Sequence, residues 1–443
     1  EVSVRYWNKE IETMPMDELH RLREKKIQHI VKLCYDKVPF YKEHMDKSNV
    51  KPDDIKTYDD LQKIPIWSKP ELRKGQADQP PYGPFISEGT IIAEVAGSTG
   101  TTGKPTFQIW SQDDMERAID ILARDCVMGT LEPGDIAYQC YPMGFARGYH
   151  WGLLACRACE KVGAGFVAAG VGIDIQDRID FIAETKPNCY IGPVRLALTF
   201  SKLLKDKGVE SPFEKLTVAG DLGPIEVPKM RERFKAAHPK GEVFTLYAGT
   251  ETSSVSVFEC TEHIGHHVWF DSLALELVDP VSGERVSPEE RGEAIINNLI
   301  LEGMPVVRYS MGDILDSYDD NPEVCGCGRT HGRLWGGMAG RTKDIVNVAG
   351  VEILPKDVEN AVLSVNELTG NYQYVVITGK EVEALRIKAE LVEGVEPTDE
   401  LEKKISGELE KVLGVPIITK LAKHGEIPPP LFKMERIIDL EKF

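Results

Sequence analysis

Between residues 134 and 249 five short apolar runs recur, each bounded by Gly, Pro or a polar turn residue: GDIAYQCYPM, GAGFVAAG, NCYIGP, KLTVAG and EVFTLYAG. Helical patterns sit between several of them, notably at 175–185 and 226–237. Runs this short and this apolar read as buried strands, and their alternation with helices predicts an α/β domain around a largely buried sheet. Upstream, DELHRLREKKIQHIVKLC (17–34) puts Leu19, Leu22, Ile27, Ile30, Val31 and Cys34 on one helical stripe with a charged outer face. Met115, Ile119, Leu122 and Cys126 form a second stripe at 112–128.

From residue 271 the pattern changes. DSLALELVDPVSGERV and GEAIINNLILEGMPVVRYS read as strands joined by short turns, an antiparallel or barrel-like part. Near 340 it changes again. A helix at 355–364, strands at 373–379 and 383–392, a helix at about 398–413 and a strand near 416–420 predict a compact α+β unit. The Gly-rich junction GGMAGRTKDIVNVAG reads as a hinge. The expected organisation is therefore a large α/β N-terminal domain over 1–341, with sheet layers and a small barrel-like β part, and a small mobile α+β domain over 342–443.

Charge narrows the function classes. The formal net charge is −18, so the chain repels phosphate backbones and nucleic acid is not an expected partner. An anionic nucleotide would have to be held by local cations and backbone amides. No apolar run of about 18 residues occurs, so no membrane span is expected. The N-terminal EVSVRYWNKEIE is charged and has no signal-peptide core, and nine cysteines, an odd number, fit a reducing cytoplasm.

One loop is phosphate-like in composition: AGSTGTTGKPTF, residues 96–107. It is not the P-loop of nucleotide triphosphatases. Gly97 and Gly103 are one residue too far apart, and Lys104 is followed by Pro105 rather than a hydroxyl residue. Pro105 also removes a backbone donor.

Five further segments give the loop its context: YAGTETSS (247–254), GEAIINNL (292–299), PVVRYSMGDI (305–314), AGRTKDIVNVAGVEILPKDVE (339–359) and PPPLFKMERIID (428–439). Together with STGTTGKP they resemble, in order and spacing, the motif set of the AMP-forming adenylating enzymes. Within that superfamily the chain resembles most the phenylacetate–CoA ligase family, through RYWNKEIETMPMDELHRLR, YDKVPFYKEHM, KPDDIKTYDDLQKIPIWSKPELR, GYHWG and CGCGRTH. The resemblance covers essentially the whole chain.

The resemblance implies an acid–thiol ligase that uses ATP, coenzyme A and Mg²⁺. A carboxylate attacks the α-phosphorus of ATP, and the thiol of coenzyme A then displaces AMP. Both partners in the first step are anions, so catalysis is positioning and charge cancellation. It implies that Ser98, Thr99, Gly100, Thr101, Thr102, Gly103 and Lys104 wrap the departing phosphates, and that Thr250 lies near phosphate. Glu251 would hold Mg²⁺, Tyr247 and Gly220 adenine, Asp313 the ribose hydroxyls, and Arg308 and Arg341 ribose or phosphate. Asp344 falls at the hinge, Gly350 at the pantetheine channel, and Lys433 would bridge carboxylate and α-phosphate. Tyr149, His150 and Trp151 would line the acid pocket, with Phe145 available beside them as material for a flat aryl slot; phenylacetate, another aryl acid and a short-chain acid all stay open. The sequence departs from the family at Ala248, Ser310, Met311 and Phe432, where the usual residues are Gly, Arg, Thr and Gly. GDLG (220–223) replaces the usual GAEP.

Cys325-Gly-Cys327-Gly resembles a zinc knuckle, and CTEHIGHH upstream offers Cys260, His263, His266 and His267. The resemblance implies a structural zinc here, as many relatives carry one in these segments, with His267 the best match and His263 and His266 still possible. Three thiolates and one imidazole would close a tetrahedral site, with Cys260, His267, Cys325 and Cys327 as the expected set and His331 in reserve. Cys156 and Cys159 form a C-x-x-C on an expected helix, read either as redox-active or as two small core residues. Two rivals to the ligase stay open. One adenylates but loads a carrier protein. The other binds nucleotide without catalysis, which the four departures would favour. A homodimer is an open expectation.

Overall fold

The computed structural model describes residues 5–97, 105–143, 150–170, 172–249, 251, 257–375, 381–428, 436–438 and 443. Its main feature is one long, mixed sheet. Edge to edge its strands are Leu273–Val278, Arg291–Asn298, Tyr309–Asp319, Gly332–Arg341, His266–Val268, Val257–Glu259, Glu242–Tyr247, Lys215–Ala219, Cys189–Pro193, Ile136–Gln139 and Gly165–Ala168. The five apolar runs that open the sequence reading all supply strands here. Those five pair in parallel with one another, and helices such as Ile175–Thr185 and Val194–Asp206 cross between them. Strand Cys189–Pro193 is buried at every position, as a two-sided cover requires.

Beyond strand Glu242–Tyr247 every step along the sheet is antiparallel. This is the part expected to be barrel-like. Its strands form as the sequence predicts, but the described pairings leave it open, as the continuation and edge of the long sheet. The short strand Trp67–Ser68 adds to it in parallel, with Ser68 opposite Ser310.

The two predicted N-terminal helices form at Met16–Lys37 and Gln112–Met128. The second starts on a capping box in which Ser111 and Asp114 each satisfy the other's backbone N–H. In the first, Leu22 is only half-buried and Arg23 is buried instead. Its guanidinium lies over the rings of Tyr58 and Phe270 and pairs with Asp320 at 3.0 Å, so the charged face is not wholly solvated. Sequence periodicity assigns faces but not the aromatic cover that lets an arginine enter one.

After Arg341 the chain leaves the long sheet. Strands Val346–Val348 and Val351–Ile353 form a hairpin, helix Pro355–Ser364 follows, and strands Leu368–Val375, Leu385–Leu391, Ile417–Ala422 and Ile437–Ile438 make a separate four-stranded sheet. The first of these begins at 368, five residues before the expected 373. This unit has its own apolar core, which includes Val358, Val362, Tyr372, Ile387, Ile405 and Leu409. No helix among the described residues is long and apolar enough to cross a membrane.

One buried histidine makes the fold pH-sensitive. His238 donates from Nε2 to the Ala197 carbonyl at 3.1 Å, and its Nδ1 accepts from the Ser211 hydroxyl at 2.6 Å. Burial lowers its pKa to about 4. The folded value lies below the unfolded value, so the unfolded chain takes up the proton first. The contribution is therefore complete above about pH 6.5 and declines as the pH falls toward 4, by about 1.4 kcal/mol per unit. Urea unfolding at pH 7 and pH 5 should show a loss of about 2 kcal/mol from this ring. His238→Asn should lose correspondingly less stability over the same interval, and an identical pH dependence in the variant would refute the assignment.

Candidate active site

In an open parallel sheet, ligands bind beyond the carboxyl ends of the strands. Here those ends lead into the motif segments. Strand Lys215–Ala219 runs into Gly220, which adopts a left-handed φ of 87°. Strand Glu242–Tyr247 ends on Tyr247 and leads to Glu251, and strand Ile136–Gln139 leads toward His150. Two residues come from the antiparallel half. Asp313 and Arg341 sit directly opposite each other on neighbouring strands.

These residues converge. The Tyr247 hydroxyl donates to Asp313 Oδ2 at 2.9 Å, and Arg341 Nε donates to Asp313 Oδ1 at 3.2 Å. Burial and then the Asp313 charge push the Tyr247 hydroxyl well above its ordinary pKa, so it stays a donor. A carboxylate has about four acceptor positions, so an aspartate can accept from several donors at once. Glu251 is buried, and its Oε1 meets Lys69 Nζ at 3.0 Å and the Tyr309 hydroxyl at 3.3 Å.

Lys69 was missed in the sequence. It opens helix Lys69–Asp78 just after the strand that pairs with Tyr309 and Ser310, so only the pairing brings it to Glu251. Arg308 corrects an expectation. It is buried, with its guanidinium on Glu276 at 2.7 Å and on the Ile64 carbonyl at 3.0 Å. Those contacts commit it to the fold rather than to a nucleotide.

Two departures from the family pattern have local explanations. Met311 packs against Gly249, where an added Cβ would lie 2.1 Å from the Met311 Cε. The glycine missing at Ala248 is thus present one residue later, where Met311 needs the room. Ser310 donates to Glu293 and accepts from the Gly312 N–H at 3.2 Å, which occupies the position where a cation is usual.

His150 begins helix His150–Val162 and is buried. Its Nδ1 meets Glu94 Oε1 at 2.8 Å, and its ring lies 4.1 Å from that of Trp110. Nε2 has no partner among the described residues. Trp151 beside it is half-buried. Ser98, Thr99, Gly100, Thr101, Thr102, Gly103, Lys104, Tyr149, Phe145, Thr250, Phe432 and Lys433 lie outside the described residues.

Gly350 and Ala349 form the tip of the hairpin at 346–353, both with positive φ. That two-residue turn demands such angles, so the backbone alone accounts for the glycine. Asp344 lies in the short 3-10 turn Thr342–Asp344 that joins the last strand of the long sheet to the C-terminal unit, and burial raises its carboxyl pKa.

Away from this site, Cys260, His267, Cys325 and Cys327 are all buried, with their ligand atoms within 4.8 Å of one another. Cys260 Sγ and Cys325 Sγ are 3.7 Å apart, and Cys327 Sγ is 3.4 Å from His267 Nε2. A disulfide needs about 2.05 Å. A tetrahedral zinc with bonds of about 2.3 Å to sulfur and 2.0 Å to nitrogen sets such pairs about 3.8 and 3.5 Å apart, so the donor set fits the metal.

The rival histidines are engaged elsewhere. His263 meets Glu259 at 2.6 Å and Glu242 at 3.0 Å, His266 meets Thr245 at 2.8 Å, and His331 bonds the Phe270 N–H and the Ile11 carbonyl. His266 and His267 are neighbours on one strand and point to opposite faces, so only one can reach the thiols. Burial lowers His267 to about 3, which keeps the imidazole neutral. Cys156 and Cys159 are both buried on their helix, and burial raises both thiols, Cys159 to about 12. That supports the packing reading over a redox one.

A model of the AMP-binding enzyme C-terminal domain matches residues 350–441. The phenylacetate–coenzyme A ligase of Thermus thermophilus is 28% identical, over 98% of this chain and 99% of its own length. That of Escherichia coli is 26% identical over 97% of each. The chain is thus similar along nearly its whole length to phenylacetate–coenzyme A ligases, and its C-terminal part matches the AMP-binding enzyme domain. The fold is similar to that of solved ligases as well. 2-Hydroxyisobutyryl-CoA ligase in its postadenylation state superposes with a TM-score of 0.90, at 22% identity, over 100% of this chain and 94% of that one. The same enzyme in its thioesterification state gives 0.72, at 24% identity, over 99% and 93%. Tyr247, Glu251, Asp313 and Arg341, which converge here, come from the motif segments that carry the sequence resemblance.

Proposed function

We propose that the chain is an AMP-forming carboxylic acid–CoA ligase acting on an aryl acid. The acid carboxylate attacks the α-phosphorus of ATP and pyrophosphate leaves. The coenzyme A thiol then attacks the acyl carbon of the acyl-AMP, and AMP leaves. The observation that supports this most is the convergence of Tyr247, Glu251, Asp313 and Arg341 beyond the ends of the parallel strands.

In this reading the Tyr247 face and Gly220 receive adenine, and Asp313 accepts from the ribose hydroxyls while Arg341 holds it. Glu251 and phosphate oxygens hold Mg²⁺, which needs only one or two carboxylates. Lys69 balances the charge of Glu251, the carboxylate that would hold the metal. Residues 98–104 and Thr250 cradle the phosphates, and Lys433 bridges the two anions. His150 and Trp151, with Tyr149, border the acid, and Glu94 fixes the orientation of His150. The bodies 1–341 and 342–443 move about Asp344 between the two steps, with Gly350 brought to the pantetheine arm. Zinc at Cys260, His267, Cys325 and Cys327 is structural, having four protein ligands and no open position. The protein works in the cytoplasm as a homodimer, which light scattering tests.

The test of the activity is pyrophosphate release with ATP and Mg²⁺ across a panel of aryl and short-chain acids, with and without coenzyme A. Turnover with one aryl acid only when coenzyme A is present is the expected result. A single turnover that coenzyme A does not change would favour the carrier-loading rival, and nucleotide binding with no release would favour the non-catalytic one.

A further inference from the structure

Four charged side chains meet where the small C-terminal unit covers the large one. Arg195 lies in the first turn of the helix that follows strand Cys189–Pro193, and Asp221 follows Gly220 at the end of strand Lys215–Ala219. Both stand at the carboxyl ends of parallel strands, on the nucleotide side of the sheet. Glu359 lies on helix Pro355–Ser364 and Arg436 leads into strand Ile437–Ile438, both in the C-terminal unit.

The four close a ring. Arg436 Nη1 reaches Asp221 Oδ1 at 2.6 Å, and its Nη2 reaches Glu359 Oε2 at 3.1 Å. Arg195 Nε reaches Asp221 Oδ2 at 3.2 Å, and its Nη2 pairs with Glu359 Oε1. The Tyr372 hydroxyl accepts from Arg436 Nε at 2.9 Å. The side chains are 3% exposed at Asp221, 5% at Arg195, 0% at Glu359 and 10% at Arg436.

We propose that Arg195, Asp221, Glu359 and Arg436 are a reversible ionic latch that docks the C-terminal unit for acid activation and must open before the thiol step. This rests on the two-step reading above. The pairing pattern carries it. Each carboxylate binds one arginine of its own unit and one of the other. When the units part, Asp221 keeps Arg195 and Glu359 keeps Arg436, so no buried charge is orphaned. The ring is electrically neutral, and desolvation offsets much of the attraction in such a pair. It therefore sets one docked geometry without holding it permanently. Arg436 also follows Lys433 by three positions in the sequence, so the unit it docks is the one that carries the cation proposed for the first step.

A looser ionic clasp borders the ring. Lys356 bonds Asp316 at 2.6 Å and the Gly336 carbonyl at 2.7 Å, and the half-exposed Arg291 spans Asp316 and Asp357. Being more exposed, it is screened by salt and contributes less to geometry.

Glu359→Gln keeps the volume and leaves the docked ring with two arginines and one carboxylate. That cost falls on the docked state, because water reaches Arg195 and Arg436 once the units part. The full-length protein carries one dye on each unit for single-molecule energy transfer. Glu359→Gln and Asp221→Asn should each shift the docked-to-open ratio at least tenfold toward open. Single-turnover acyl-AMP formation should fall about tenfold, and conversion of supplied acyl-AMP by coenzyme A should not fall. Asp221→Glu should restore part of the docked population. An unchanged dye distance, or equal loss in both half-reactions, overturns the latch. The distance readout needs no turnover, so a chain inactive on every acid would refute the ligase reading and leave the docking result to decide the latch.

Discussion

Replacing Lys433 with alanine should abolish acyl-AMP formation, by a factor on the order of 10³, and should leave thioesterification of supplied acyl-AMP within about threefold of the parent. The asymmetry follows from charge. In the first step a carboxylate approaches a phosphate, and only a cation between them can offset the repulsion. One charge at about 4 Å in a site of effective dielectric near 20 is worth about 4 kcal/mol, or roughly a thousandfold in rate. In the second step a thiol attacks an acyl carbon that is already activated, and the same cation has no comparable task. Pyrophosphate release in a single turnover measures the first step, and acyl-CoA formation from synthetic acyl-AMP measures the second. Equal loss in both would remove Lys433 from its proposed place. Lys433→Arg should recover part of the first step, because the charge remains while its geometry changes.

Removing the metal from the cysteine cluster should cost about 4 kcal/mol or more of stability, the range in which loss of a bound metal belongs. Protein purified without chelator should carry about one zinc per chain. Cys327→Ser should abolish most of that zinc, and chelation should lower the unfolding midpoint of the parent but not of the variant. The cluster ties strand His266–Val268 and the Cys260 turn to the 325–327 loop, with the Tyr6 hydroxyl donating to the Cys327 carbonyl at 2.9 Å. Without a metal, three buried thiols and a neutral imidazole face one another with no cation among them. Metal-free protein with an unchanged midpoint would show that packing alone holds these segments together.

Several features of this chain could be read from local patterns. The stripes at 17–34 and 112–128, the five buried runs of the sheet and the α+β tail all follow from periods of 3.6 or 2 that neighbouring residues express. The adenylating motifs are equally local, since each needs a short backbone shape and a few side chains in sequence. Arg308 shows where such reading stops. Its motif points to nucleotide, yet Glu276 and the Ile64 carbonyl, both distant in sequence, hold it in the core. Met311 looks like an impairment until Gly249 is seen to accommodate it. The three adjacent candidates His263, His266 and His267 are equivalent in sequence, and strand direction and the carboxylates around them separate them.

The elements and the motif segments behind the likeness to adenylating enzymes were legible in the sequence, because they depend on residues close together in the chain. Tertiary structure alone decided which cation meets Glu251, which histidine meets the thiols, whether the antiparallel strands close, and that Asp221 and Glu359 share two arginines across the unit boundary. Each of those is a choice among partners tens to hundreds of residues apart. Such choices are made by packing, burial and charge pairing in three dimensions, and no local period encodes them.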